Sequence, residues 1–148
     1  MAGDPPIATP ADRHYERTRH VWAHRNADSG RVRIGIDALA LESLGELAYV
    51  ALRATGSSVA RGESVGTLEA AKMTSDIATP IAGKIVARND VVLGDPLAVN
   101  REPYGGGWLL ELEPSAWEDD AAELVTGSDV AEWAAGEAAR IAAEGRLD

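Results

Sequence analysis

From Arg31 the chain sets Val32, Ile34 and Ile36 at alternate positions, the period of a strand with one buried face. Asp37 then offers a carboxylate to the first amides of a helix, Leu41 and Leu44 fall three apart on one of its faces, and Gly45 suits the residue that ends it. The nearly continuous apolar run from Leu47 to Leu52 predicts a strand covered on both faces. Further strands are predicted over Val65 to Leu68, at Ile77, over Ile81 to Ala87, and at Trp108, Leu110 and Leu112. Glycines at 56, 62, 66, 83, 94 and 105 to 107 punctuate these runs, as an antiparallel sandwich or barrel requires wherever its backbone turns with positive φ. A short internal match, Val59-x-x-Gly62-Glu63-x-Val65 with Val91-x-x-Gly94-Asp95-x-Leu97, suggests two similar half-sheets packed face to face.

After Pro114 the pattern changes period. Ser115-x-x-Glu118 and Asp129-x-x-Glu132 both have the spacing of a capping box, which predicts two helices. In the second, Val130, Trp133, Ala134, Ala138 and Ile141 recur at helical spacing, a stripe that can lie against the sheet while the glutamates face water. The fold class is α+β and mainly β. Residues 1–12, with three prolines and no apolar block, read as a disordered tail, and residues 13–148 as a single domain.

Composition narrows the classes. With 148 residues, 45% apolar and 26% charged, the chain can bury a core without metal or disulfide. It has no cysteine, which removes thiol nucleophiles, thiolate zinc sites and iron–sulfur clusters and fits a cytoplasmic setting. No apolar run approaches the ~18 positions of a membrane span, and the first dozen residues read neither as a secretory signal nor as a mitochondrial presequence. The formal charge is -10, and residues 113–148 hold ten acids against two arginines, or -8 of it. Such a chain is repelled by phosphate backbones, so nucleic acid is not an expected partner, and the acidic segment reads as a solvated helix face.

No conventional active site is legible. A Walker loop and HExxH are missing, and Gly105-Gly106-Gly107-Trp108 lacks the Lys and Ser/Thr of a phosphate cradle. His14, His20 and His24 share one segment, with His20 and His24 on the same face of any strand there, and read as structural histidines, hydrogen bonded beside Trp22, in preference to a ligand cluster. The basic residues are more informative: twelve are Arg and two, Lys72 and Lys84, are Lys. A guanidinium stays protonated, whereas an ammonium can lose its proton in an enzyme pocket and attack an activated carboxylate. Lys84 follows Gly83 in a predicted strand and reads as an ordinary outward charge. Lys72, in LEAAKMTSD, lies between two strand-like runs where a turn would project it. No Asn-Gly marks that turn, and spacing alone leaves a solvated turn lysine and a modified one both open.

At these residues the sequence resembles the lipoyl-carrier H protein of the glycine cleavage system. His20-x-Trp22, Gly35-Ile36-Asp37, Ala40, Leu44-Gly45-Glu46-Leu47 and Tyr49-Val50 are similar to the family's early segments, and Glu69-x-x-Lys72-x-x-Ser75-Asp76, with Pro80 and Gly83 after it, to its modification hairpin. Asn100-x-x-Pro103-Tyr104-Gly105-x-Gly107-Trp108-Leu109 resembles its late loop and strand, and the likeness runs over about residues 13–147. What the resemblance implies is a barrel-sandwich hybrid with a short helix in its N-terminal half and two C-terminal helices. Lys72 at a hairpin tip would bear lipoate through an amide, with Glu69 and Asp76 as flanking charges read by a lipoate ligase or lipoyl transferase. The arm would shuttle an aminomethyl group between glycine decarboxylase, aminomethyltransferase and dihydrolipoyl dehydrogenase, so the chain would be a carrier and not an enzyme, expected as a monomer away from membranes. Tyr104, Trp108 and the stripe containing Trp133 read as packing.

Where the family usually has Ser-Val before the lysine and a small residue after it, this chain has Ala70-Ala71 and Met73. Ala71-Lys72-Met73 leans towards the pattern of biotinyl domains. The alternatives are an H-protein-like lipoate carrier of a cytoplasmic sulfur-oxidation route with a heterodisulfide-reductase-like complex, a biotinyl carrier, and an unmodified H-like interaction module.

Overall fold

The computed structural model describes residues 7–71 and 73–146, so Lys72 lies outside the described residues. Among the described residues the strands are β1 (His14–Tyr15), β2 (Val21–Arg25), β3 (Val32–Ile36), β4 (Leu47–Leu52), β5 (Ser58–Val59), β6 (Ser64–Ala70), β7 (Thr74–Ala78), β8 (Gly83–Arg88) and β9 (Leu110–Pro114). The helices are α1 (Ala38–Leu44), α2 (Asp90–Gly94), α3 (Leu97–Arg101), α4 (Trp117–Ala121) and α5 (Val130–Arg146). One sheet runs β1-β2-β3-β9-β8-β5 and the other β4-β6-β7, with antiparallel pairing between neighbours. This is the mainly-β α+β architecture expected from the alternation, closed by a long C-terminal helix.

The core joins the two sheets. Ile34 on β3, Ile85 on β8 and Leu110 and Leu112 on β9 are buried in one cluster with Val50 on β4, Leu68 on β6 and Ile77 on β7. Removing these apolar side chains from water supplies the driving force, and it fixes the registers, because a slip of one residue would turn each set outward. α1 forms as expected: Asp37 accepts from the Ala40 amide at 2.9 Å, and Gly45 ends the helix with φ +80°.

Several expectations are corrected. β4 is covered on one face only. Its pairing with β6 shifts between Leu47 and Tyr49, so Ala48 is an extra residue, and Tyr49 is turned outward while Leu47 and Val50 stay buried. The internal match does not correspond to two half-sheets: Val91 to Leu97 falls in α2 and α3, because Asn89 caps α2 by accepting from the Val91 amide. Gly56 and Gly62 have positive φ, but Gly66 and Gly83 do not; a Cβ on either would meet a backbone carbonyl of the neighbouring strand, that of Ala51 or Glu113. Trp108 precedes β9 instead of starting it. α4 begins at Trp117, and its N-cap Ala116 makes no side-chain bond, so the Ser115 box does not start it; a 3-10 turn over Gly127–Asp129 leads into α5. Of residues 1–12, expected as a disordered tail, 1–6 lie outside the described residues. The carbonyls of Ala8, Pro10 and Ala11 accept hydrogen bonds from Tyr104, Tyr15 and Gly127, which tie that part to the body.

Candidate functional site

The β6–β7 hairpin is built by burial on one side and pairing along its length. Val65, Leu68 and Ile77 face the core, and the registers Thr67–Asp76, Leu68–Ser75 and Glu69–Thr74 run to the tip. There the Ala70 amide donates to the Met73 carbonyl at 2.9 Å. Only residues 71 and 72 separate these two in sequence, and neither is Asn or Gly. Ala71 and Met73 on either side of it are exposed, as are Glu69 and Asp76. Side chains of directly paired residues lie on one face of a sheet, and so do those two apart along a strand. Glu69, Thr67, Thr74 and Asp76 therefore share the outer face, opposite buried Leu68.

Lys84, the other lysine, is the second residue of β8; its side chain is exposed, and its backbone pairs with Ser58 on β5 and Glu113 on β9. It stands within a paired strand and not at a hairpin connection.

The three histidines do not act together. His14 lies edge-on to Trp117, with ring centroids 4.9 Å apart, and His24 is on β2. His20 precedes β2, with φ +61°, so it is not on a strand face with His24. Among the described residues no group of three or more His, Cys, Asp or Glu is arranged to hold a metal.

His20 is nonetheless the most organised polar residue in the fold. Its Nδ1 lies 2.9 Å from the carboxylate of Asp37, which has no solvent exposure, and its Nε2 lies 2.7 Å from Glu137 on α5. Its ring stacks on Trp133, not Trp22, at 5.5 Å. One imidazole thus joins the start of β2, the cap of α1 and the C-terminal helix. Glu137 turns inward from the face expected to be all solvent, and it also pairs with Arg140 at 3.0 Å. Burial pulls the His20 pKa down, but hydrogen bonds and charges from Asp37 and Glu137 outweigh it and hold the pKa above the ordinary value. Glu137 is held below the usual carboxylate range, chiefly by the hydrogen bond from Arg140 working against burial, with His20 adding to it. Burial likewise pushes neighbouring Tyr104 up to about 12, so its hydroxyl stays neutral while accepting from the Ala38 amide.

A group whose folded pKa is raised contributes stability that is complete below its unfolded value and is lost as pH rises through the folded pKa. His20→Asn, which tolerates the left-handed backbone but does not titrate, should cost about 1–3 kcal/mol at pH 6. Its melting temperature should fall less than the wild type's between pH 6 and 9. His14, whose pKa is lowered by burial and then by His24, acts in the opposite sense below pH 6.5 and is common to both proteins. Parallel pH profiles for the two proteins would contradict the assignment.

A family model described as glycine cleavage H-protein matches residues 13–136. The chain belongs to the glycine cleavage H-protein family. It is 45% identical over 101 residues to the glycine cleavage system H protein of Synechococcus sp. (strain CC9605), covering 68% of this chain and 75% of that one. To the H protein of Mycolicibacterium vanbaalenii it is 44% identical over 104 residues, covering 70% and 78%. The crystal structure of an H protein from Mycobacterium marinum superposes with a TM-score of 0.75 at 36% identity, over 86% of this chain and 98% of that one. As an H-protein family member the chain is a lipoyl carrier of glycine cleavage, the cofactor being held on a lysine, and not itself a catalyst.

The hairpin fits such a group: an amide to a lysine between exposed Ala71 and Met73 requires no core rearrangement. Glu69 and Asp76, expected from the sequence as flanking charges, are exposed on the outer face, and Tyr49, which the sequence did not single out, pairs with Glu69 there and is 54% exposed. Its place inside an apolar run hid it.

Proposed function

We propose that Lys72 is the residue that carries the lipoyl group, with Glu69 and Asp76 as the flanking charges, and that the loaded chain serves glycine decarboxylase, aminomethyltransferase and dihydrolipoyl dehydrogenase in turn. A lipoate ligase or lipoyl transferase makes the amide. The observation that carries this reading is the hairpin closed between Ala70 and Met73, with Lys72 in its two-residue connection, against a Lys84 embedded in a sheet. The chemistry the lipoyl group supplies when bound is thiol–disulfide exchange and group transfer at a dithiolane.

The chain's own residues supply presentation. Val65, Leu68 and Ile77 bury the inner side of the hairpin, so its strands are anchored while its tip stays in solvent. Glu69 and Asp76 set negative charge on the outer face of the hairpin whose lysine loses its own charge on acylation. Among the described residues no helix is long and apolar enough to cross a membrane.

The test of cargo is carbon exchange. The protein loaded at Lys72, mixed with a pyridoxal-phosphate glycine decarboxylase, should support incorporation of labelled bicarbonate into the carboxylate of glycine, and the unloaded protein should not. No exchange from a protein shown by mass to be loaded would overturn the glycine-cleavage role and favour the sulfur-carrying alternative.

A further inference from the structure

Tyr49 has no role so far in the fold or the chemistry. It and Met73, 54% and 47% exposed, are two of the four large hydrophobic side chains exposed among the described residues, the others being Val91 on α2 and Leu97 on α3. One exposed apolar side chain is ordinary. What sets Tyr49 apart is its register: it pairs with Glu69, which pairs with Thr74, and the next row is Ala51, Thr67 and Asp76. Tyr49, Glu69 and Asp76 therefore stand on one face, while Val50 and Leu68 are buried on the other. With strands about 4.8 Å apart, the backbone of Tyr49 lies about 10 Å from that of Thr74, two residues after Lys72. The extra residue Ala48 turns this ring out of the core, and nothing in the packing requires that.

We propose that this outer face, with Tyr49 as its anchor and Glu69 and Asp76 as its rim, docks the enzyme that attaches the lipoyl group, which meets it with an apolar slot edged by basic side chains. The inference rests on Lys72 being the attachment residue. Reach decides the occupant. An enzyme that acylates the bare amine must bring its active site down to the end of a single lysine side chain, and so covers the strands beside it. Enzymes that act later meet the far end of the loaded arm and need not touch the sheet. The acidic rim decides the charge of the slot, and a ring with two side-chain torsions, partly buried already, loses little entropy when covered. Tyrosine is also among the side chains that most often dominate an interface.

The unloaded protein is incubated with a purified lipoate ligase, lipoate and ATP, and loading is followed by intact mass. In that reaction the ligase's lipoyl-adenylate loses AMP as its acyl C–O bond breaks, the amide C–N bond forms at the lysine Nζ, and the amine gives up a proton. Tyr49→Ser should raise KM for the protein about tenfold with kcat within about twofold of wild type, as expected for a lost anchor that takes no part in chemistry. Tyr49→Phe keeps the ring and should load like wild type. Tyr49→Lys sets a cation against the basic slot and should lose at least as much as the serine variant, so it carries the test if that variant does not fold. Once loaded by long incubation, the serine variant should have its lipoyl disulfide reduced by NADH through dihydrolipoyl dehydrogenase at the wild-type rate, NADH giving the two electrons and becoming NAD.

Loading of the serine and lysine variants with wild-type kcat/KM, or an equal loss in loading and in dehydrogenase turnover, would overturn the docking assignment. Failure of the wild type to load at Lys72 would instead overturn the functional reading beneath it.

Discussion

Gly107→Val is expected to lower the melting temperature by roughly 10 °C, from a stability loss of at least about 3 kcal/mol. A Cβ at this position would sit 2.6 Å from the Glu102 carbonyl, 2.7 Å from that of Ala98 and 2.8 Å from the Val99 Cα, all of them backbone atoms of α3 or its end. They cannot give way by rotating a side chain. Gly107 also donates its amide to Glu102 at 2.8 Å, so moving the loop outward breaks that bond as well. What is special about the residue is close approach, not positive φ. Gly106, its neighbour, would place a Cβ 3.8 Å from one flexible carboxylate, so Gly106→Ala should melt within a few degrees of wild type. Equal melting of the Gly107→Val and wild-type proteins would contradict the packing account of the loop.

Lys72→Arg is expected to reduce lipoyl incorporation to background while leaving the melting temperature unchanged. Arginine keeps a charge beside Glu69 and Asp76 and has no acylable amine, and the neighbours Ala71 and Met73 are exposed, so no packing is disturbed. The far-ultraviolet circular dichroism of the variant should overlay that of wild type. A variant that unfolds, or one that still takes up lipoate, would contradict the assignment of Lys72.

The period-2 patterns at Val32, Ile34 and Ile36 and at Leu110 and Leu112 were readable because Arg33, Glu111 and Glu113, alternating with them, are turned from the core, Gly35 being the exception, buried under the Trp22 ring. Around Leu47 to Leu52 the same reasoning misled: an apolar run reads as doubly buried, and the extra residue at Ala48 that exposes Tyr49 leaves no mark in composition. The match between residues 59–65 and 91–97 was too local to report structure, since an asparagine cap at Asn89 turns the second copy into helix. The cap of α1 by Asp37 was visible, but not that its second oxygen is held by His20, nor that Glu137 reaches the same ring from 117 positions away. Such a cluster depends on how α5 crosses α1, which no local spacing encodes. Lys72 could be singled out because an acylable amine is scarce in this chain and because the flanking residues resemble a known hairpin. Tyr49 could not, because an aromatic residue in a strand is core by default.

The most direct measurement is the intact mass, with peptide mapping, of the protein made in cells that contain lipoate and biotin ligases. One lipoyl group on the peptide containing Lys72, and none on the peptide containing Lys84, is the result predicted. A biotinyl group on Lys72, a lipoyl group on Lys84, or a chain left unmodified beside active lipoate ligase would contradict the account.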